Sequence, residues 1–126
     1  MMKKLLLSLL LLISTSALAE DRPWTQKEIA LGTLSTSLYL MDWATTKDMT
    51  RRYDEGFHER GPFVKAFFGD RPTGKQVDAY FAVVIPGHLM LADKFPEHRQ
   101  FFLKMVIAVE LLTVINNRSV GLHFKF

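Results

Sequence analysis

The chain has 126 residues, 48% of them hydrophobic, with 16 basic and 13 acidic side chains and no cysteine. Its length fits one domain, and the missing thiols exclude disulfides, thiolate metal sites and cysteine nucleophiles. The net charge of +3 is no sign of nucleic-acid binding. Two lysines belong to the leader, and removing them leaves fourteen basic against thirteen acidic residues, a net +1.

Residues 1–19 read as a Sec-type signal peptide. Lys3 and Lys4 make the positive n-region and residues 5–13 the apolar h-region. Ala17-Leu18-Ala19 is a small-x-small site, with cleavage after Ala19. The h-region is short for a spanning helix, which disfavours the alternative of an uncleaved N-terminal anchor. No cysteine follows the site to be acylated, so a lipoprotein is excluded. Residues 20–126 then form a single helical domain.

Thr25 and Glu28 have the spacing of a capping box, with Thr25 at the N-cap and Glu28 at N3. Trp24 stands where it would staple onto Ile29. The pattern predicts a first helix over about residues 26–52. Residues 29–41 carry no charge and many small side chains, and Gly32 with Thr36 suits close helix approach in a membrane. A connector over about 52–72 follows, punctuated by Gly56, Gly61-Pro62 and Gly69 to Pro72. Within it, residues 63–68 could make one or two apolar turns lying flat at an interface. Thr73 and Gln76 repeat the cap-and-box pattern and open a second helix over about 74–94, where Pro86-Gly87 predicts a kink. Pro96 suits N1 of a third helix ending near Asn117. In the tail, Val120, Leu122, Phe124 and Phe126 alternate with polar or small residues, a strand pattern, although one strand cannot close a barrel.

Two observations pull against each other over the surrounding solvent. The uncharged runs 29–41 and 79–92 have lengths more usual for buried core helices than for spans. The second and third helices are nevertheless apolar on every side, and a three-helix bundle in water buries only a stripe of each. Basic residues favour the membrane. Lys47, Arg51, Arg52, Arg60, Lys65, Arg71 and Lys75 lie between the first and second helices, against only Arg22, Lys27, Lys94 and Arg99 at the other end. With an exported N-terminus and three spans, this is the positive-inside distribution.

Few residues suggest chemistry. Asp42 with Thr45 and Thr46 places two hydroxyls one turn away on the acid's side of the helix. This is a proton or cation site, or a carboxylate satisfied by its neighbours, and the packing role is favoured because the acid lies near a helix end. Asp42, Asp78, His88 and Glu110, distributed over the three helices, offer the donor types of a divalent-metal site. No pair among them has the local spacing of a known ligand set, and ordinary buried pairing is the simpler account. Thr45, Thr46 and these four residues are the candidate polar interior. No nucleophile elbow or phosphate-binding glycine loop occurs.

Asp42-x-x-Thr45-Thr46 on a first apolar helix, Glu59-x-x-Pro62 in an acidic glycine-containing turn, and two further apolar helices resemble a group of small bacterial multi-helix membrane proteins of unknown function. The resemblance covers roughly residues 29–95, with Gly61 where that group usually has asparagine. It implies a membrane fold and supplies no activity. The expectation is therefore an all-α protein: a three-helix membrane or membrane-associated bundle after a signal peptide, with a short extended C-terminal tail. It is exported to the inner membrane, with the periplasm as the alternative. Its role is structural or interactive, with no catalytic or cofactor-binding residue assigned and metal binding left open. Its partners are the lipid bilayer and either a second copy or another envelope protein, and no nucleic acid. The rivals are a membrane-embedded ion-handling protein or metal-dependent enzyme using Asp42, Asp78, His88 and Glu110, and a soluble periplasmic oligomeric binding module.

Overall fold

A computed structural model describes residues 3, 4, 22–59 and 61–126. Apart from Lys3 and Lys4, the signal peptide and its cleavage site lie outside the described residues, as does Arg60. The described chain is helical: α1 (Gln26–Thr50), a 3-10 turn (Tyr53–Glu55), α2 (Pro62–Phe68), α3 (Gly74–Lys94) and α4 (Arg99–Ser119). The all-α expectation holds, but with four helices among the described residues instead of three. The extra one is α2 in the connector. Pro62 presets its first turn, and Gly69 stops it at φ 80°, a backbone that side-chain-bearing residues avoid.

Both predicted capping boxes form. Thr25 Oγ1 accepts the Glu28 amide at 3.1 Å while Glu28 Oε1 accepts the Thr25 amide at 2.9 Å. Thr73 and Gln76 repeat the exchange at 3.1 and 2.9 Å. Ile29 stays exposed, so little of it is buried by the Trp24 staple the sequence suggests. The Trp24 indole lies against Gly32, where an added Cβ would come within 3.0 Å of the ring. The Nε1–H donates to Asp93 at 2.8 Å, and the Arg99 guanidinium stands 4.8 Å over the ring. Those two partners, brought by α3 and α4, fix the indole by contacts far along the chain.

Two boundaries differ from the sequence reading, while α3 keeps its expected bounds. Helix α1 stops at Thr50, and Gly56 at φ 91° ends the 3-10 turn and not the long helix. Helix α4 begins at Arg99, because residues 96–98 form a turn in which His98 N donates to Phe95 O at 3.0 Å. That turn swings Arg99 back over the end of α3, where its Nε donates to Ala92 O at 2.9 Å. Helix α3 continues through Pro86, whose ring is on the exposed face.

The tail forms no strand among the described residues. Alternation makes a strand only when a neighbouring strand takes the backbone groups, and here side chains take them. His123 N donates to Asp48 Oδ2 at 2.8 Å, Arg52 Nη1 to Gly121 O at 2.9 Å, and Arg51 Nη1 to Lys125 O at 2.9 Å. Leu122 is buried, and the Phe126 ring meets Trp43 edge-on at 5.4 Å. The tail is thereby tied across the C-terminal end of α1.

Pairings along the helices give the topology. Glu28 meets Arg99 and Asp42 meets Asn117, so α1 and α4 run parallel. Ser35 meets His88 and Lys47 meets Asp78, so α3 runs antiparallel to α1. The apolar core is small and lies where α1 meets α3 and α4: Leu38, Val77, Phe81, Leu103 and Val114 are buried. Trp43 stacks on Phe81 at 5.8 Å, with the two planes 10° apart.

Candidate functional site: a polar interior between three helices

The buried positions of α1 are polar to an unusual degree: Glu28, Ser35, Asp42, Thr45, Thr46 and Asp48. From Ser35 to Thr46, offsets of seven, three and four place one face of the helix against α3 and α4. The sequence puts polar groups there instead of leucine. Each must find a partner, because a buried polar group without one costs a desolvation penalty of about 1–3 kcal/mol.

The central cluster joins α1 to α4. Asp42 Oδ1 accepts from Thr46 Oγ1 at 3.0 Å and from Asn117 Nδ2 at 3.3 Å. Asn117 Nδ2 also donates to Thr45 Oγ1 at 2.9 Å, and the Thr45 hydroxyl reaches the main-chain carbonyls of Met41 and Asp42 at 3.1 and 3.0 Å. Glu110 is within hydrogen-bonding reach of Asp42. Its residue is only 8% exposed, and its Oε2 has no hydrogen-bond partner among the described residues. Asn117 was read as a helix stop, yet it is the side chain that fastens α4 to both α1 residues. An amide in the last turn of an apolar helix was the available signal.

A second cluster joins α1 to α3. Ser35 Oγ stands 2.9 Å from His88 Nε2 and 3.0 Å from Gly32 O, and His88 Nδ1 lies 2.5 Å from Ile85 O. A carbonyl only accepts, so Nδ1 carries hydrogen. The Ser35 hydroxyl then donates to Nε2 when the ring is neutral. With an imidazolium it accepts from Nε2 and donates to Gly32 O. Both states are satisfied. The Tyr39 ring lies 4.8 Å from the His88 ring and couples electrostatically to both Asp42 and Glu110, so it stands between the two clusters.

Asp78 takes no part in either. Its side chain is 46% exposed and holds Lys47 at 3.0 Å and Trp43 Nε1 at 2.9 Å. Of the four residues proposed for a metal, only Asp42 and Glu110 come together, and no group of three or more metal-ligating side chains assembles among the described residues. Asp78 lies at the start of α3, where the helix faces the charged end of α1. Spacing along one helix cannot reveal that register between two.

The third cluster was not anticipated. Arg99 is 0% exposed and Glu28 1%. They meet at 3.2 Å, and Arg99 also donates to Ala92 O, Asp93 O at 3.0 Å and Arg22 O at 3.2 Å. The fork of guanidinium donors therefore ties the lead, α1, α3 and α4 at one end of the bundle. Its sequence signal was slight, since the same Glu28 already served the capping box.

At the opposite end, a cavity of about 260 Å³ lies under the 3-10 turn and the chain that follows it. Thr46, Met49, Phe57, Glu59, Asn117 and Leu122 are among its lining residues. Thr46 and Asn117 thus face the cavity and hold Asp42 at once. Beside it, Asp48 receives Arg52 Nη1 at 2.8 Å and the His123 amide. Burial pushes the Asp48 carboxyl up, but the His123 amide and the Arg52 guanidinium outweigh it and hold it below its ordinary value. A depressed carboxyl stabilises the folded state above its unfolded pKa, and that contribution is lost as pH falls through the folded value. The His123 amide resonance is accordingly expected to titrate with a midpoint below the usual aspartate range. An unshifted midpoint, or one retained in Asp48→Asn, would contradict the assignment.

No family model, curated protein or solved structure matches this chain.

Proposed function

We propose that the chain is an exported integral protein of the cell envelope, crossing the inner membrane with α1, α3 and α4 and serving a structural or interaction role without catalysis. One observation carries the reading: polarity is inverted relative to a protein in water. The carboxyls of Asp42 and Glu110, the imidazole of His88 and the guanidinium of Arg99 are inside, while Leu34, Leu40, Val83, Met90, Leu112 and Ile115 are exposed. Phe101 and Leu112 stand 68% and 69% exposed on α4 alone. An apolar belt on three sides suits lipid, and inward-facing polar groups that pair with one another are the form in which a bilayer tolerates them.

Length agrees. At 1.5 Å per residue the 21 residues of α3 and of α4 extend about 31 Å, close to a hydrocarbon core of roughly 30 Å. By composition, α4 is long and apolar enough to cross a membrane, and it is the one described helix that is. Helices α1 and α3 would cross as its partners, with Ser35, Asp42, Thr45, Thr46 and His88 turned inward and the Thr33 and Ser37 hydroxyls bonded back to the carbonyls of Ile29 and Thr33. Charge agrees too. Lys47, Arg51, Arg52, Lys65, Arg71 and Lys75 gather at the end that also holds Arg118 and Lys125, which the positive-inside rule would place in the cytoplasm. The resemblance to small multi-helix membrane proteins points the same way. An interaction role would use the shallow groove lined by Trp24, Gly32, Thr36 and Leu89, where small side chains permit close helix approach.

Alkaline carbonate washing of membranes from cells making the full chain tests this directly. The mature protein is expected to stay in the pellet. Release into the supernatant would replace the proposal with a soluble periplasmic protein whose apolar belt is covered by further copies.

A further inference from the structure

We propose that Asp42 and Glu110 form a proton-exchange site, holding one proton between their carboxyls and trading it with water through the cavity at the connector end. The inference goes beyond a packing role and does not depend on whether the apolar belt meets lipid.

Three observations on the structure support it. First, the two carboxyls face each other from α1 and α4 inside the bundle, and two buried carboxylates cannot both keep their charge at hydrogen-bonding distance. Among the described residues, none of the groups acting on the pair is a cation. Thr46 and Asn117 act on Asp42, and beyond them Tyr39 from α1 and Tyr80 from α3 sense both acids. Glu59 of the connector bears on Tyr80 and adds a further negative group. A proton is the simplest species that satisfies such a pair.

Second, the donors are unequally shared. Asp42 Oδ1 accepts two hydrogen bonds, from Thr46 and Asn117, which favour its charged form. Among the described residues Glu110 has no such donors, and it is more than nine-tenths buried with Oε2 unpartnered. An orphaned oxygen costs less on a neutral carboxylic acid than on a carboxylate. The proton therefore rests on Glu110, which donates it to Asp42. Transfer within the pair moves that proton to Asp42 and leaves the charge on Glu110, where that same proton is the one donor among the described residues, against two further donors for a charge on Asp42.

Third, the site is connected to water at one end. Thr46 and Asn117 touch Asp42 on one side and line the cavity of about 260 Å³ on the other. That volume admits several waters, and the two polar side chains, with Glu59, would give them partners. At the other end of the bundle Arg99 and Glu28 close the interior, leaving the connector end as the route of exchange.

Infrared spectroscopy of the purified full chain tests the proposal, because a protonated carboxyl has a carbonyl stretch resolved from that of a carboxylate. At neutral pH one such band per chain is expected, shifting when the buffer is changed to D2O. Glu110→Gln should abolish it, because Asp42 keeps Thr46 and Asn117 as donors and the glutamine amide can donate to it in place of the Glu110 proton. Asp42→Asn should retain it at a displaced frequency, because Glu110 stays buried without a cation. Absence of the band in the unmodified chain would overturn the proposal, and so would its survival in Glu110→Gln. A band indifferent to D2O would show a sealed structural proton and overturn the exchange. Loss of the band on adding sodium would do so in favour of a metal-cation site.

Discussion

Arg99→Met is expected to be the most damaging single substitution in this chain, lowering stability by about 3–5 kcal/mol, the usual cost of removing one partner from a buried ion pair. Glu28 would remain in the interior as an unpaired carboxylate, and the carbonyls of Ala92, Asp93 and Arg22 would lose their donor. Methionine fills much of the same space, so the loss belongs to charge and hydrogen bonds and not to a cavity. Arg99→Lys should recover only part of it, because an ammonium cannot present donors in several fixed directions at once. Glu28→Gln in the methionine background should recover more: the uncompensated charge is gone, and glutamine still completes the capping box with Thr25. Thermal unfolding of purified protein followed by circular dichroism measures all three. Equal stability of Arg99→Met and the unmodified chain would mean that the end of the bundle is held by something other than this pair.

The second large effect concerns Asp42 and separates packing from charge. Asp42→Asn keeps an acceptor for Thr46 and Asn117 and adds an amide that can donate to Glu110, so folded protein should be recovered in normal yield. Asp42→Leu strips the partner from Thr46, Asn117 and Glu110 together. At about 1–3 kcal/mol for each orphaned group, a loss of several kcal/mol is expected, seen as reduced yield and a lowered unfolding temperature. If the asparagine variant proved as unstable as the leucine one, the negative charge itself would be holding the helices. If both were as stable as the parent, Asp42 would not be the anchor between α1 and α4.

The sequence was most legible where the physics is local. Thr25 with Glu28, and Thr73 with Gln76, marked two helix starts to the residue, because a capping box needs only atoms within one turn. Gly69 and Pro62 were visible as punctuation, and the one or two apolar turns read over residues 63–68 correspond to the short helix Pro62–Phe68. Asp42 with Thr46 was legible for the same reason, being one turn apart on one strand of backbone. Hydrophobic periodicity also announced helices apolar on every side, from which the exposed belt on α3 and α4 follows.

What the sequence could not determine is which distant groups meet. Nothing in the spacing of Asp42, Asp78, His88 and Glu110 says that two of them pair, that His88 turns to Ser35, or that Asp78 goes to Lys47. The parallel pairing of α1 with α4 and the antiparallel pairing of α3 decide all three. The same register made Arg99, in sequence only one of four basic residues at that end, the buried knot of the bundle, and made Asn117 an anchor. In the tail, the alternation of Val120 to Phe126 was real, but no strand lies beside it among the described residues. Asp48, Arg51 and Arg52 took its backbone groups instead. Local hydrogen bonds and turn chemistry are written residue by residue. Long-range pairing depends on how whole helices dock, and that was settled only in the tertiary structure.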